Sequence, residues 1–262
     1  MSKIVKIEKD NMQAISHLFE GWNETLLQTC MQGYMGTAYA DSGERAQAAQ
    51  ITVGDFVFFA GDPENECAEK LIRNVTGEHS RPYLLLISKD DTWNEAIEKC
   101  LGAKAVKKTR YAIKKAESFD KAKLEKYEQS IAEGYELKMM DEKLYHEALS
   151  EDWSKDLCAN FGTYEHFSHR GIGVAAVYNS KLVCGASSYT YYDGGIEIEI
   201  VTHSEHRQKG LATAAAARLI SECVEKGLYP SWDAANLISV RLAQKLGYSF
   251  DREYTSYEVK RN

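Results

Sequence analysis

Proline is scarce in this sequence, three residues in 262, and no low-complexity tract separates its parts. Little room is left for a long flexible linker. No apolar run approaches the roughly 18 residues that read as a membrane span. The cysteines, at positions 30, 67, 100, 158, 184 and 223, form no CxxC pair, and no secretory leader precedes them. Reduced thiols in a cytoplasm are therefore expected rather than a disulfide framework. Positive charge is short as well. A formal net charge of −7 argues against a general nucleic-acid or anionic-membrane binder, because those affinities rest on dense positive charge. The seven histidines show no metal-ligand spacing with cysteines, so no metal is expected. What is present is apolar material, 44% of residues, enough to build cores in one large or two ordinary domains.

The patterning divides the chain. Ala14, Ile15, Leu18, Phe19, Trp22, Leu26 and Leu27 recur at helical spacing. From Ile51 the segments TVGDFVFFAGD, CAEKLIRNV, YLLLISK, TWNEAIEKCLG and VKKTRYAIKK read as strand, helix, strand, helix, strand. Such alternation predicts a small sheet covered by helices, an N-terminal α/β domain over 1–115. A connecting helix over 116–133 follows, in a lysine-rich stretch that reads as a solvated edge strand running into a surface helix. From Gly134 to residue 262 the second domain reads as strand YELKMMD, helix DEKLYHEALS and a shorter helix near 152–160. Strands GVAAVY and KLVCGASSYTYY then flank a tight turn at Asn179-Ser180. Next come strand IEIEIVT, a helix over 207–226 ended by Gly227, and strand LYPSWDA. Asn236 caps a helix over 237–246, and YSFDREYTSYEVK closes the sheet. The expected class is α/β with a mixed sheet, and no internal repeat is visible in the letters.

One stretch carries chemistry. IEIEIVT alternates so that Ile196, Ile198, Ile200 and Thr202 share one strand face and Glu197, Glu199 and Val201 the other. EHRQKGLATAAAARLI follows, with Arg207 and Gly210 just ahead of an alanine-rich helix. Small residues let a polyanion approach the backbone, and the amides of a first helical turn, with Arg207 beside them, form an anion cradle suited to a pyrophosphate.

Arg207-x-x-Gly210-x-Ala212 after a strand resembles the pyrophosphate motif of the GNAT N-acyltransferases. A second motif stands at the right remove: Trp232-Asp233-Ala234-Ala235-Asn236, then Ser239, Leu242 and Leu246-Gly247-Tyr248. The resemblance covers 134–262. It implies acetyl-CoA as cosubstrate, held by Ile200, Val201 and Thr202 at the strand end, by Arg207, Gln208, Lys209, Gly210, Leu211, Ala212 and Thr213, and by Asn236 and Ser239. It further implies direct transfer of the acetyl group to a primary amine of a small molecule or peptide. No nucleic-acid or membrane partner is expected, and a homodimer is allowed for. Glu199 is the candidate base. The family's usual acid, a tyrosine, is replaced by Ala243 here, which leaves Tyr248, Tyr254 or Tyr257 as substitutes, Tyr248 first. That departure supports a rival reading, a CoA-binding sensor without turnover. Tyr189, Tyr191, Tyr192 and Trp232 form an aromatic set expected beside the groove, with His203 and His206 flanking the cradle loop.

Overall fold

The computed structural model describes residues 3–75 and 82–260. The chain forms two compact units, Met1–Arg110 with Glu253–Asn262, and Tyr111–Arg252. Both are mixed sheets with helices packed on them, so the α/β class read from the sequence is borne out. The sequence-derived boundaries of 1–115, 116–133 and 134–262 differ from this division mainly at the C-terminus, where Glu253–Asn262 join the first unit.

The first unit runs β1 (Val5–Ile7), α1 (Gln13–Phe19), α2 (Thr25–Met31), β2 (Thr37–Ala40), β3 (Ala48–Val53) and β4 (Phe56–Gly61). It continues through α3 (Ala68–Asn74), β5 (Tyr83–Ser88), α4 (Asp91–Leu101) and β6 (Ala105–Lys114), whose last part, from Tyr111, belongs to the second unit. β1 to β4 pair antiparallel in order, and β5 adds parallel to β4. The segment TVGDFVFFAGD is two strands rather than one. Gly54, at φ 60°, turns the chain between them, a conformation open to glycine without a Cβ clash. Every residue of β3 is buried, which hides the period-2 signal that marks a half-exposed strand. Phe59, Leu71, Trp93 and Tyr257 share one core cluster, and the Trp93 indole donates to the Gly61 carbonyl at 2.8 Å.

The second unit comprises α5 (Lys121–Gln129), β7 (Tyr135–Met139), α6 (Glu142–Ser150), α7 (Tyr164–Arg170), β8 (Gly173–Tyr178), β9 (Lys181–Tyr192) and β10 (Gly195–Thr202). Then come α8 (Leu211–Glu225), β11 (Tyr229–Ser231), β12 (Asp233–Ala234), α9 (Leu237–Leu246) and β13 (Ser249–Lys260), whose last part belongs to the first unit. β7, β8, β9 and β10 pair antiparallel in sequence, and β11 adds parallel to β10. Asn179 and Ser180 make the β8–β9 turn with φ of 49° and 63°, the primed geometry that matches strand twist. The expected helix near 152–160 is instead a pair of short 3-10 turns, Lys155–Leu157 and Ala159–Phe161. Gly162 at φ 73° then breaks the chain before α7. α8 lays Leu211, Thr213 to Ala217, Leu219, Ile220 and Cys223 inward, and its alanines let the helix axis approach the sheet closely.

The two units repeat one topology. Each has a first strand, two helices, three further antiparallel strands, a helix, a parallel fifth strand, another helix and a last strand. The last strands are exchanged. β5 pairs with β13, Tyr257 opposite Leu86 and Lys260 opposite Tyr83. The last strand of the first repeat, β6, pairs with β12 at Tyr111 and Ala112, both within the second unit. The repeat lies in strand order and direction, which many interchangeable apolar side chains satisfy, and so it leaves no trace in the letters.

Candidate active site

β10 is the pivot. On one edge it pairs with β9 along its whole length, with a register shift between Glu197 and Ile198. That is a β-bulge with Tyr189 as the extra residue, a device that bends a strand and re-aims its side chains. On the other edge it pairs with β11 at three positions only, Gly195 with Tyr229, Ile196 with Pro230 and Glu197 with Ser231. There the following chain turns away at the buried Trp232 and joins β6. This turn also divides LYPSWDA, read as one strand, into β11 and β12. From Ile198 to Thr202, β10 has no β11 partner along this edge, with Glu199, Ile200, Val201 and Thr202 half-buried. An extended ligand carrying amides can pair with such an edge as an added strand would.

β10 leads toward the start of α8. His203 N–H donates to the Val183 carbonyl, and a 3-10 turn over Ser204–His206 follows. Gln208 and Gly210 then lie in the left-handed region, φ 63° and 78°, which is why the helix begins at Leu211 and not at 207. For Gln208 that backbone is costly by about 1 kcal/mol or more, the kind of strain found at ligand-binding loops. A Cβ on Gly210 would meet nothing within 4 Å, so the space before it is open. Within this unit α5, α6, α7 and α9 are capped by Asp120, Asp141, Thr163 and Asn236, whereas no side chain caps α8. Its first intrahelical bond is Ala214 N–H to the Gly210 carbonyl. The amides of Leu211, Ala212 and Thr213 precede it, at the positive end of the helix dipole. Arg207 and Lys209 are exposed beside them. Arg207 Nε donates to the Thr202 carbonyl at 3.3 Å, and Lys209 Nζ donates to Tyr135 Oη at 2.8 Å.

At the start of α9 Asn236 accepts from Ile238 and Ser239 N–H, both at 3.0 Å, and Ser239 Oγ accepts from the Trp232 indole at 3.0 Å. A stability measurement separates the two roles of Asn236. Asn236→Ala is expected to cost about 1 kcal/mol as a lost cap, and Asn236→Asp to restore it. If the amide also contacts the cofactor, the Asp variant keeps its Tm and loses acetyl-CoA affinity. Equal affinity of Asp and Asn variants leaves Asn236 as a cap alone.

Of the tyrosines weighed as acids, Tyr248 is buried and its hydroxyl donates to the Pro230 carbonyl at 2.6 Å. Burial pushes its ionisation well above the usual phenol range, with the nearby Tyr229, Cys223, Glu197 and Tyr192 adding to it. Tyr254 accepts from Arg110 and Tyr257 donates to Glu98, both within the first unit. The two candidate carboxylates also part company. Glu197, 7% exposed, stands at the last paired position of β10, whereas Glu199 stands in the open stretch.

Three partners escaped the sequence reading. Tyr135 of β7 binds both His206 and Lys209 of the cradle loop. Trp153 packs edge-on against His203, ring centroids 5.3 Å apart. His166 of α7 joins the Phe161 carbonyl at 2.9 Å to the Tyr191 hydroxyl at 3.0 Å, so Tyr191 is hydrogen-bonded as well as packed. No local signal marks any of them, since the partners lie far apart in the chain. His203, Glu205 and His206 hold donor atoms within 4.8 Å of one another. We assign no metal to them, because His206 Nδ1 is engaged by Tyr135 and the Lys209 ammonium beside it opposes a second cation.

Among the described residues the first unit shows no basic, glycine-led helix start like that of α8. Its loop between β4 and α3 carries Asp62, Glu64 and Glu66; Glu64 N–H is met by Asp62 and Cys67 N–H by Asn65, although no side chain caps α3. β5 stays closed on β4 up to Lys89 N–H and the Phe59 carbonyl.

A mixed sheet whose edge strand β11 parts from β10 beside an uncapped, basic helix start fits the class that the comparisons show, an acyl-CoA-dependent N-acetyltransferase. The chain belongs to the GNAT acetyltransferase family, whose model matches residues 16–257 and so extends well past the C-terminal motifs. It is 27% identical over 271 residues to an uncharacterised N-acetyltransferase, YdfB, of Bacillus subtilis, with 98% of this chain and 99% of that protein covered. Among solved structures it is similar to a GCN5-related N-acetyltransferase-like protein from Streptococcus suis, with a TM-score of 0.89 and 38% identity over 96% and 99% of the two chains. A tandem GNAT protein from the clavulanic acid biosynthesis pathway shares the fold, with a TM-score of 0.57 and 11% identity over 98% of each chain. No helix among the described residues is long and apolar enough to cross a membrane.

Proposed function

We propose that the protein transfers the acetyl group of acetyl-CoA directly to a primary amine of a small molecule or peptide. The observation that carries this reading is the parting of β10 from β11 after Glu197 and Ser231, with the open edge leading to the cradle at 207–213. The pantetheine arm pairs along Ile200 to Thr202, and the pyrophosphate sits on the amides of Leu211, Ala212 and Thr213 with Arg207, Gln208, Lys209 and Gly210 around it. Asn236 and Ser239 close the other side. The acceptor nitrogen gives its proton to Glu199, directly or through a water, and attacks the thioester carbonyl carbon. The C–N bond forms, the C–S bond breaks, and the electron pair leaves on the CoA sulfur. A thiolate is a tolerable leaving group, so we do not route its protonation through Tyr248, whose proton is given to Pro230. The six cysteines, none in a disulfide, suit a cytoplasmic setting.

Ala243 in place of the customary tyrosine, together with the engaged Tyr248, favours a second reading, a CoA-binding sensor without turnover. A panel of primary amines incubated with acetyl-CoA and followed by free-thiol release tests the two. Thiol release above the hydrolysis blank with any amine supports transfer. Acetyl-CoA binding without release across a broad panel favours the sensor. Calorimetric titration is also expected to give one acetyl-CoA per chain, since the acidic loop of the first unit repels a polyanion. Two sites per chain would contradict that account.

A further inference from the structure

Tyr135 lies on β7, 71 residues before His206, yet its hydroxyl sits between His206 Nδ1 at 2.9 Å and Lys209 Nζ at 2.8 Å. Its ring meets the His206 ring edge-on at 5.7 Å, takes Lys209 Nζ at 5.5 Å from its centroid, and packs tilted at 4.8 Å against Tyr178, itself 5.5 Å from His206. The hydrogen-bond roles follow from chemistry. A lysine ammonium only donates, so the Tyr135 oxygen accepts from Lys209, and its single proton is free to go to His206 Nδ1. The imidazole is then neutral, with its own proton on Nε2. Both clamped residues belong to the loop that forms the anion cradle.

We propose that Tyr135 is a positioning residue for the cofactor loop and that, through it, acetyl-CoA binding takes up one proton at His206. The inference rests on the proposed seating of the cofactor pyrophosphate at 207–213. When that anion arrives, Lys209 turns to it and leaves the Tyr135 oxygen one donor short. A proton from solvent adds to His206 Nδ1, which then donates to Tyr135, and the tyrosine proton rotates outward. No covalent bond other than this N–H changes.

The charges around His206 set the direction. In the free protein burial, then Lys209 and His203, hold its ionisation below the usual imidazole range, and Glu205 pulls the other way. Tyr135 from β7 and Tyr178 from β8 face it without charge, and Arg207 follows it in the loop. A bound polyanion offsets the cations, so the imidazolium is better tolerated in the complex. The sign follows: affinity rises as pH falls through the bound-state value and levels off below the lower, free-state value.

Titration calorimetry of the full chain with acetyl-CoA, in two buffers of different ionisation enthalpy from about pH 8 to about pH 5, reads the linkage directly. The expected result is net proton uptake in the wild type, lost in His206→Gln while binding persists. Tyr135→Phe is expected to bind about fivefold more weakly, the size of one hydrogen bond, with the uptake reduced or displaced in pH. His206→Gln, on a half-buried loop position, keeps the test decisive if Tyr135→Phe does not fold. Binding without proton uptake overturns this inference and leaves the cofactor reading intact, as does uptake that survives in His206→Gln. No acetyl-CoA binding at any pH overturns both.

Discussion

Gly210→Glu is expected to weaken acetyl-CoA binding by at least about 100-fold while the protein stays folded. The glycine stands where the helix dipole, the amides of Leu211 to Thr213 and the side chains of Arg207 and Lys209 converge. Nothing occupies the space that its missing Cβ would fill. A carboxylate placed there opposes each nearby phosphate charge by roughly 4 kcal/mol at 4 Å and an effective dielectric of 20, before salt screening. About 2.7 kcal/mol already corresponds to a 100-fold loss. A second cost has nothing to do with charge. At φ 78° any residue with a Cβ is strained by about 1–2 kcal/mol, which lowers Tm whatever binds. Gly210→Asn controls for it, because asparagine tolerates the left-handed region best among the alternatives. The Asn variant is expected to keep acetyl-CoA affinity within about tenfold of the wild type. Glu and Asn variants with equal affinity by calorimetry would remove the cradle from the mechanism.

The second large effect is expected at Glu199. With an acceptor amine in hand, Glu199→Gln should lower kcat by roughly 100-fold, the worth of a positioned base. Acetyl-CoA affinity should hardly move, because the amide preserves shape and half-burial. The loss is greatest at low pH, where the acceptor is mostly an ammonium and most needs its proton taken. Steady-state rates across the pH range, paired with calorimetric Kd values, decide it. A loss of only a few-fold at every pH would return Glu199 to the sheet as a structural residue. Glu197 is then the next carboxylate to try, although its burial beside Tyr192, Tyr229 and Tyr248 suits it better to holding the point where the strands part.

Much of the site is legible in the letters because it is built from local preferences. The left-handed Gly210 and the Asn236 cap each follow from the conformational freedom of one residue and its immediate neighbours. Gly247, at φ 112°, ends α9 for the same reason. α9 runs over the residues that the pattern names, Leu237–Leu246. Helix 207–226 misses its start by one turn, because nothing in the composition of Arg207-Gln208-Lys209 announces the positive φ at Gln208. The all-buried β3 and the mostly buried β4 read as one strand for a related reason. A segment covered on both faces loses the alternation by which strands are counted.

By itself the sequence determined most strands of the second unit, α9 with its cap, and the glycine and basic residues before α8, because periodicity, caps and glycine positions act within a few residues. Tertiary structure alone decided that β10 and β11 separate after three pairs, which opens the edge for a cofactor and sets Glu199 apart from Glu197. It also decided that β13 completes the N-terminal sheet and that Tyr135 clamps the loop. These outcomes rest on partners such as Tyr257 with Leu86 and Tyr135 with His206. Pairing across such separations depends on which edges and faces the assembled sheets leave available, and no local pattern records that choice.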